Sequence, residues 1–218
     1  GELVWAIEAC SDPDELEAIG WLLAWMPDRD LRALEGAFLV DHLREALRTR
    51  TESRFCRDLP DAIFLNEVLP YAFVGERRER WRTPLRERYQ KLVDAAPDQE
   101  AAVRLLNRRV WTDHGIKYHP TKRPKTDQSP SETIDCGIAS CTGLSIILAD
   151  ACRAVGIPAR LAGVPMWHND TGNHTWIEVW DEGEWHFVEA FGSDGYDRAW
   201  CTEHVRKARA DDPLYAVW

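Results

Sequence analysis

The apolar residues of this 218-residue chain keep a three-and-four spacing through its first half and alternate every second position in parts of its second half. Those two periods belong to helices and strands, so the chain is confined to a mixed fold in which the two kinds of element occupy separate stretches. Asp12-Pro13-Asp14-Glu15 combines a cap, a proline at the first helical position and an acidic first turn, ahead of Leu16, Ile19, Leu22, Leu23 and Met26; Pro27 ends that helix. A second run sets Leu31, Leu34, Phe38, Leu39, Leu43 and Leu47 on one face. A third opens at Thr83-Pro84 and carries Leu85, Tyr89, Leu92 and Val93, and a fourth covers about 98–110. Glu76-Arg77-Arg78-Glu79-Arg80-Trp81-Arg82 interleaves acids with bases, which predicts a solvated, salt-bridged helix face and no ligand site.

From about 112 to 135 the helical period is lost among Gly, Pro, Lys, Thr and Ser, as expected of a long ordered loop or a boundary beside a cleft. The chain thus divides into a helical N-terminal region, 1–111, and a second region, 112–218. In the second, Ser140 caps a helix whose apolar positions are Leu144, Ile147, Leu148, Ala151 and Val155, stopped by Gly156 with Pro158 just beyond. A strand over 159–164, a polar loop to Asn173, a strand over 174–180, a turn at Glu182-Gly183 and a strand over 185–190 complete the order.

With 44% hydrophobic and 29% charged residues, the composition is that of an ordinary globular chain. Lys and Arg number 27 against 37 Asp and Glu, and the net charge of -10 argues against nucleic acid as a partner. No apolar run approaches the roughly 20 residues of a membrane-spanning helix. Six cysteines are too sparse for a disulfide-dependent miniature fold, and Cys136 and Cys141 lack the second close pair that structural zinc requires. The chain begins at Gly1 rather than Met, which leaves the compartment open: secreted or periplasmic if a signal peptide preceded Gly1, otherwise cytoplasmic. The oligomeric state is equally open.

Chemistry concentrates at Cys141, in the first turn of its helix. Unpaired N–H groups and the positive end of the helix dipole favour a thiolate there, and the Cys141 N–H can donate to an oxyanion. Cys10, Cys56 and Cys152 lack that setting, and Cys152 falls near the apolar stripe, where a cysteine is a small core residue. A thiolate nucleophile needs an imidazole, and that imidazole needs an orienting acceptor. His174, at a loop-to-strand junction, is the best placed of seven histidines. A two-residue turn at Glu182-Gly183 sets Trp176 opposite Glu189, which puts Glu189 diagonal to His174 on the same face, roughly 7–8 Å away between backbones. A three-residue turn would throw Glu189 to the other face. Trp176, Trp180 and Trp185 fit either the core or a cleft wall.

Cys141, Arg153-Ala154-Val155-Gly156-Ile157-Pro158-Ala159-Arg160, His174-Thr175-Trp176-Ile177-Glu178-Val179 and Trp185-His186-Phe187-Val188-Glu189 together resemble the transglutaminase-like superfamily over about residues 134–190. Phe64-Leu65-Asn66, Leu69-Pro70-Tyr71-Ala72, Glu76-Arg77-Arg78 and Asp197-Arg198-Ala199-Trp200 are similar to a bacterial subgroup with a helical leader. The resemblance implies an α+β, papain-like fold and a Cys-His-Asp triad carried onto Cys141, His174 and Glu189. Glu stands where the family usually has Asp, with Asp194 as the rival acid, and Ala139-Ser140 precede the cysteine where many members have a glycine two residues before it. The implied activity is cysteine-dependent acyl transfer on a peptide or protein amide through a thioester, as a peptidase or amidase. A protein-glutamine transglutaminase and a non-catalytic peptide- or glycan-binding module on the same fold are the alternatives. Thiol acyl transfer implies no cofactor, and no EF-hand-like spacing suggests calcium.

Overall fold

The structure, a computed structural model, describes residues 1–192 and 194–218. Its elements run α1 (Glu2–Glu8), α2 (Pro13–Trp25), α3 (Asp28–Ala33), α4 (Gly36–Glu52), α5 (Asp61–Glu67), α6 (Arg82–Asp94), α7 (Gln99–His114), β1 (Lys117–Tyr118), α8 (Pro130–Cys136), β2 (Ile138–Ala139), α9 (Cys141–Ala154), β3 (Ala159–Val164), β4 (His174–Asp181), β5 (Glu184–Val188) and α10 (Thr202–Val205). The fold is α+β, with an antiparallel sheet ordered β3-β4-β5.

The first helical half contains two departures from the periodicity. The run 31–47 is two helices, α3 and α4, broken at Leu34-Glu35. Glu2 accepts a 2.9 Å hydrogen bond from Gly36 N, and a Cβ on Gly36 would meet the Glu2 carbonyl and the Trp5 ring, so the break sits where α1 crosses. The Arg-rich stretch is not a helix face: 76–81 is irregular and α6 begins at Arg82. Arg77 and Arg80 face water, but Glu76 and Arg78 hold elements together. Glu76 is 4% exposed and accepts from Phe73 N and Val74 N, while Arg78 Nε donates to Asp30 Oδ2 at 2.9 Å. The expected loop after 111 is shorter than its composition suggests, because α7 runs on to His114 and α8 begins at Pro130.

Helix α9 is the spine. Every residue from Gly143 to Ala154 is buried, Asp150 and Arg153 included, and a helix buried all round belongs at the centre of a core. One face meets β3 and β4; others meet α6, α7 and α8. Its last carbonyls have no partner within the helix. Side chains from the first half supply them: Arg82 Nη1 donates to Arg153 O at 2.9 Å, Thr49 Oγ1 to Ala154 O at 3.4 Å and Ser53 Oγ to Val155 O at 2.7 Å. Gly156, at φ +88, lies so close to Ser53 and Cys56 that no side chain fits.

The hairpin follows the expected register, with Trp180 opposite Trp185 and Ile177 opposite Val188. Glu182 and Gly183 both take positive φ, 48° and 93°, the two-residue turn whose twist matches a hairpin. Val164 pairs with His174 on the other side of β4. The chain end lies along the outer side of β3: Trp218 N donates to Gly163 O at 2.9 Å, Gly163 N returns a bond to Trp218 O at 3.2 Å, and the Trp218 ring occupies the space a Cβ on Gly163 would need. A short parallel pair, β1 with β2, approaches the head of α9.

Candidate active site

Cys141 is the first residue of α9, as its position after a capping serine predicts. Ser140 Oγ is engaged elsewhere, donating to Thr126 O at 3.0 Å, so the first-turn N–H groups stay available to the sulfur. Half-buried, the thiol would be pushed up by burial. The hydrogen bond and charge of His174, with backbone donors at Thr175 and Thr142, outweigh that and bring it below its ordinary value.

His174 opens β4 and is 7% exposed; Glu189 follows the end of β5 and is 6% exposed. His174 Nε2 lies 2.7 Å from Glu189 Oε2, so the diagonal separation set by the hairpin register is closed by the two side chains. That bond occupies Nε2 and leaves Nδ1 outside the pair with Glu189. Burial opposes charge on the ring, yet hydrogen bonds to Cys141, Cys201 and Glu189 and the carboxylate charge push the imidazole up to about 11. A lowered thiol beside a raised imidazole is the signature of a thiolate–imidazolium pair. Asp194, the rival acid, lines a depression with Arg104, Asn107, Trp111 and Phe191 and is not the residue bonded to His174.

The acid is held from two directions that the sequence pattern does not announce. Asn107, on α7, donates from Nδ2 to Glu189 O at 2.8 Å and accepts from Phe191 N at 3.0 Å, clamping the chain on either side of Ala190. Phe191 takes φ +65, a left-handed conformation that costs a non-glycine residue roughly 1–3 kcal/mol and needs such a clamp to persist. From the other side comes Cys201, fully buried at the head of α10, its Sγ 3.5 Å from Glu189 Oε2. Sequence reasoning missed both, because an asparagine on an amphipathic helix and a lone cysteine near a chain end carry no local signal.

Aromatic rings wall the imidazole. Trp167 lies 5.9 Å from His174, centre to centre, and Trp200 lies 5.1 Å away with 64% of its surface exposed; His204 meets both tryptophans. Trp176 is a core residue, 1% exposed. Trp180 and Trp185 form a cross-strand pair, with the Arg160 guanidinium 3.8 Å above the Trp185 ring. Cys10, Cys56 and Cys152 are buried, and burial pushes the last two up to about 12, far from reactivity.

His174, Glu189 and Cys201 have the mixed N, O and S donors of a zinc site, with ligating atoms within 4.8 Å of one another. Two ligands on a tetrahedral ion at about 2.0–2.2 Å sit more than about 3 Å apart. At 2.7 Å, the His174–Glu189 pair has the geometry of a hydrogen bond rather than of a shared ion.

Residues 86–190 match the family described as the transglutaminase-like superfamily. Among solved structures, the chain is similar to a candidate cysteine protease from Cytophaga hutchinsonii, with 20% identity over 66% of this chain and 47% of that one and a TM-score of 0.48. It is also similar to the periplasmic domain of TgpA from Pseudomonas aeruginosa bound to ethylmercury, with 22% identity over 67% and 48% of the two chains and a TM-score of 0.41. The chain spans about half the length of the solved structures it matches. No curated protein matches it. Among the described residues, no helix is long and apolar enough to cross a membrane.

Proposed function

Since residues 86–190 match the transglutaminase-like superfamily, we propose that the chain is a cysteine-dependent acyl-transfer enzyme that hydrolyses amide bonds in peptides or proteins. The observation that carries the reading is the Nε2–Oε2 bond of 2.7 Å between His174 and Glu189, beside the half-buried thiol that heads α9, which His174 brings below its ordinary value.

In this reading the Cys141 thiolate attacks the carbonyl carbon, and the charge moving onto oxygen is received by the backbone N–H of Cys141 at the positive end of α9. The C–N bond breaks as the His174 imidazolium gives its proton to the leaving nitrogen, and a thioester remains. Glu189 keeps the ring in the orientation and tautomer that both steps require. Water then attacks the thioester, giving its proton to His174, and the C–S bond breaks to release the acid and restore the thiolate. Water needs no site of its own for that step, whereas transfer to an amine needs one.

The test is alkylation of the native protein by iodoacetamide between pH 5 and 9, mapped by mass spectrometry. Cys141 labels selectively near pH 6, and His174→Ala slows that labelling about tenfold or more, as loss of the ion pair returns the thiol toward its ordinary range. Labelling of Cys141 no faster than the other thiols would sink the enzyme reading and leave a binding module. Turnover of a casein substrate with a labelled amine present separates the outcomes of the thioester: chain cleavage marks the hydrolase, amine incorporation with release of ammonia marks the transglutaminase.

A further inference from the structure

The acid of the site is a glutamate, and its carboxyl group is one freely rotating bond further from the backbone than an aspartate's. The backbone clamp by Asn107 fixes where the side chain starts, not where the carboxylate ends. Something else has to hold Glu189 Oε2 in line with His174 Nε2.

Cys201 is in position to do it. It heads α10, wholly buried, in a small apolar cluster with Ala162, Val164, Trp167 and Trp176. Its Sγ approaches the same carboxylate oxygen that receives the His174 proton, at 3.5 Å, within the reach of a sulfur hydrogen bond. The backbone at Cys201 is fixed by the turn it starts, its carbonyl accepting from His204 N at 2.9 Å and Val205 N at 3.0 Å. Burial, together with the negative charge of Glu189, outweighs the pull of His174 and keeps the sulfur protonated, so it donates and does not compete for the imidazole as a second thiolate.

We propose that Cys201 is a positioning residue of this site, its buried thiol donating to Glu189 Oε2 and locking the longer acid into the bond with His174. The proposal rests on the reading of Cys141, His174 and Glu189 as a working set. Cys201 touches no substrate. It acts through Glu189, on the orientation of the imidazole and thereby on the proton balance between His174 and Cys141. Loss of the donor lets the carboxylate swing, weakens its hold on the imidazolium and sends the Cys141 thiol back up.

The experiment uses the full chain and needs no substrate. Iodoacetamide labelling of Cys141 is followed against pH in wild type, His174→Ala, Cys201→Ala and Cys201→Ser. With Cys201→Ala the acid limb of the profile moves up by about one pH unit, so labelling at pH 6 falls about tenfold, while Cys201→Ser, which restores a donor, returns to within about threefold of wild type. If Cys201→Ala loses its far-ultraviolet circular dichroism, Cys201→Val carries the same expectation with the volume kept. Wild-type selectivity that vanishes in His174→Ala but is untouched in Cys201→Ala overturns this proposal alone, as does a serine variant as impaired as the alanine one. Absence of selective labelling in the wild type overturns the three-residue reading, and this proposal with it.

Discussion

At Glu189 the added methylene changes what the rest of the chain must do, and the consequences are measurable one side chain at a time. Glu189→Gln keeps the shape but replaces the carboxylate that favours an imidazolium. It is expected to lower kcat by about a hundredfold or more, with Cys141 still present and the fold intact. Asp194→Asn is the matched control and leaves kcat within about threefold, because His174 bonds to Glu189 instead. Activity of Asp194→Asn falling as far as that of Glu189→Gln would reassign the acid. The pH dependence follows from the two shifts. The thiolate is present above the lowered Cys141 value and is lost as pH falls through it, whereas the imidazolium is present below about 11 and is lost as pH rises through that value. Alkylation of Cys141 therefore climbs at lower pH than for an ordinary thiol and then holds level across the neutral range.

Among the elements, those with a local chemical reason were legible. Asp12 does cap α2, accepting from Asp14 N, and the hairpin turn at Glu182-Gly183 fixed a register from which the His174–Glu189 contact could be anticipated. Elements whose reason lies elsewhere in the chain were not. The break between α3 and α4 depends on α1 crossing at Gly36, and the burial of Arg82 depends on the Arg153 carbonyl, far from it in sequence. Asn107 and Cys201 acquire their meaning only when α7 and the segment around α10 converge on Glu189. Gly156 is an element-scale hinge that both views share, read as a helix stop and found at φ +88 against Ser53 and Cys56. Gly156→Ala adds a side chain where neither the conformation nor the space admits one, and is expected to destabilise by roughly 1–3 kcal/mol. Urea unfolding of the variant measures this, and an unchanged midpoint would contradict the packing described.

For the molecule as a whole, the spine helix couples the two halves of the chain. Cys141 sits at the head of α9, while the carbonyls at its tail are satisfied by Thr49, Ser53 and Arg82. Arg153, itself buried, donates to Ala159 O and Pro70 O and lies with its guanidinium 4.0 Å over the Phe73 ring. A fragment of residues 112–218 would strip the Ala154 and Val155 carbonyls of Thr49 and Ser53, and Arg153 of Pro70 O and the Phe73 ring, at about 1–3 kcal/mol for each group left orphaned. Such a fragment is expected to show no cooperative thermal transition and no selective labelling of Cys141. A sharp transition in it would mean that the spine is held from one side only.

The backbone exchange between Gly163 and Trp218 matters for how this protein fails. A strand at the rim of a sheet offers its amides to any extended chain that comes near, and here the rim strand is the one that pairs with His174. With Trp218 in place, that rail is taken at Gly163. Trimmed back by a protease, the molecule would present a free pairing edge at Gly163, one strand away from His174, and self-association through added strands would become possible there.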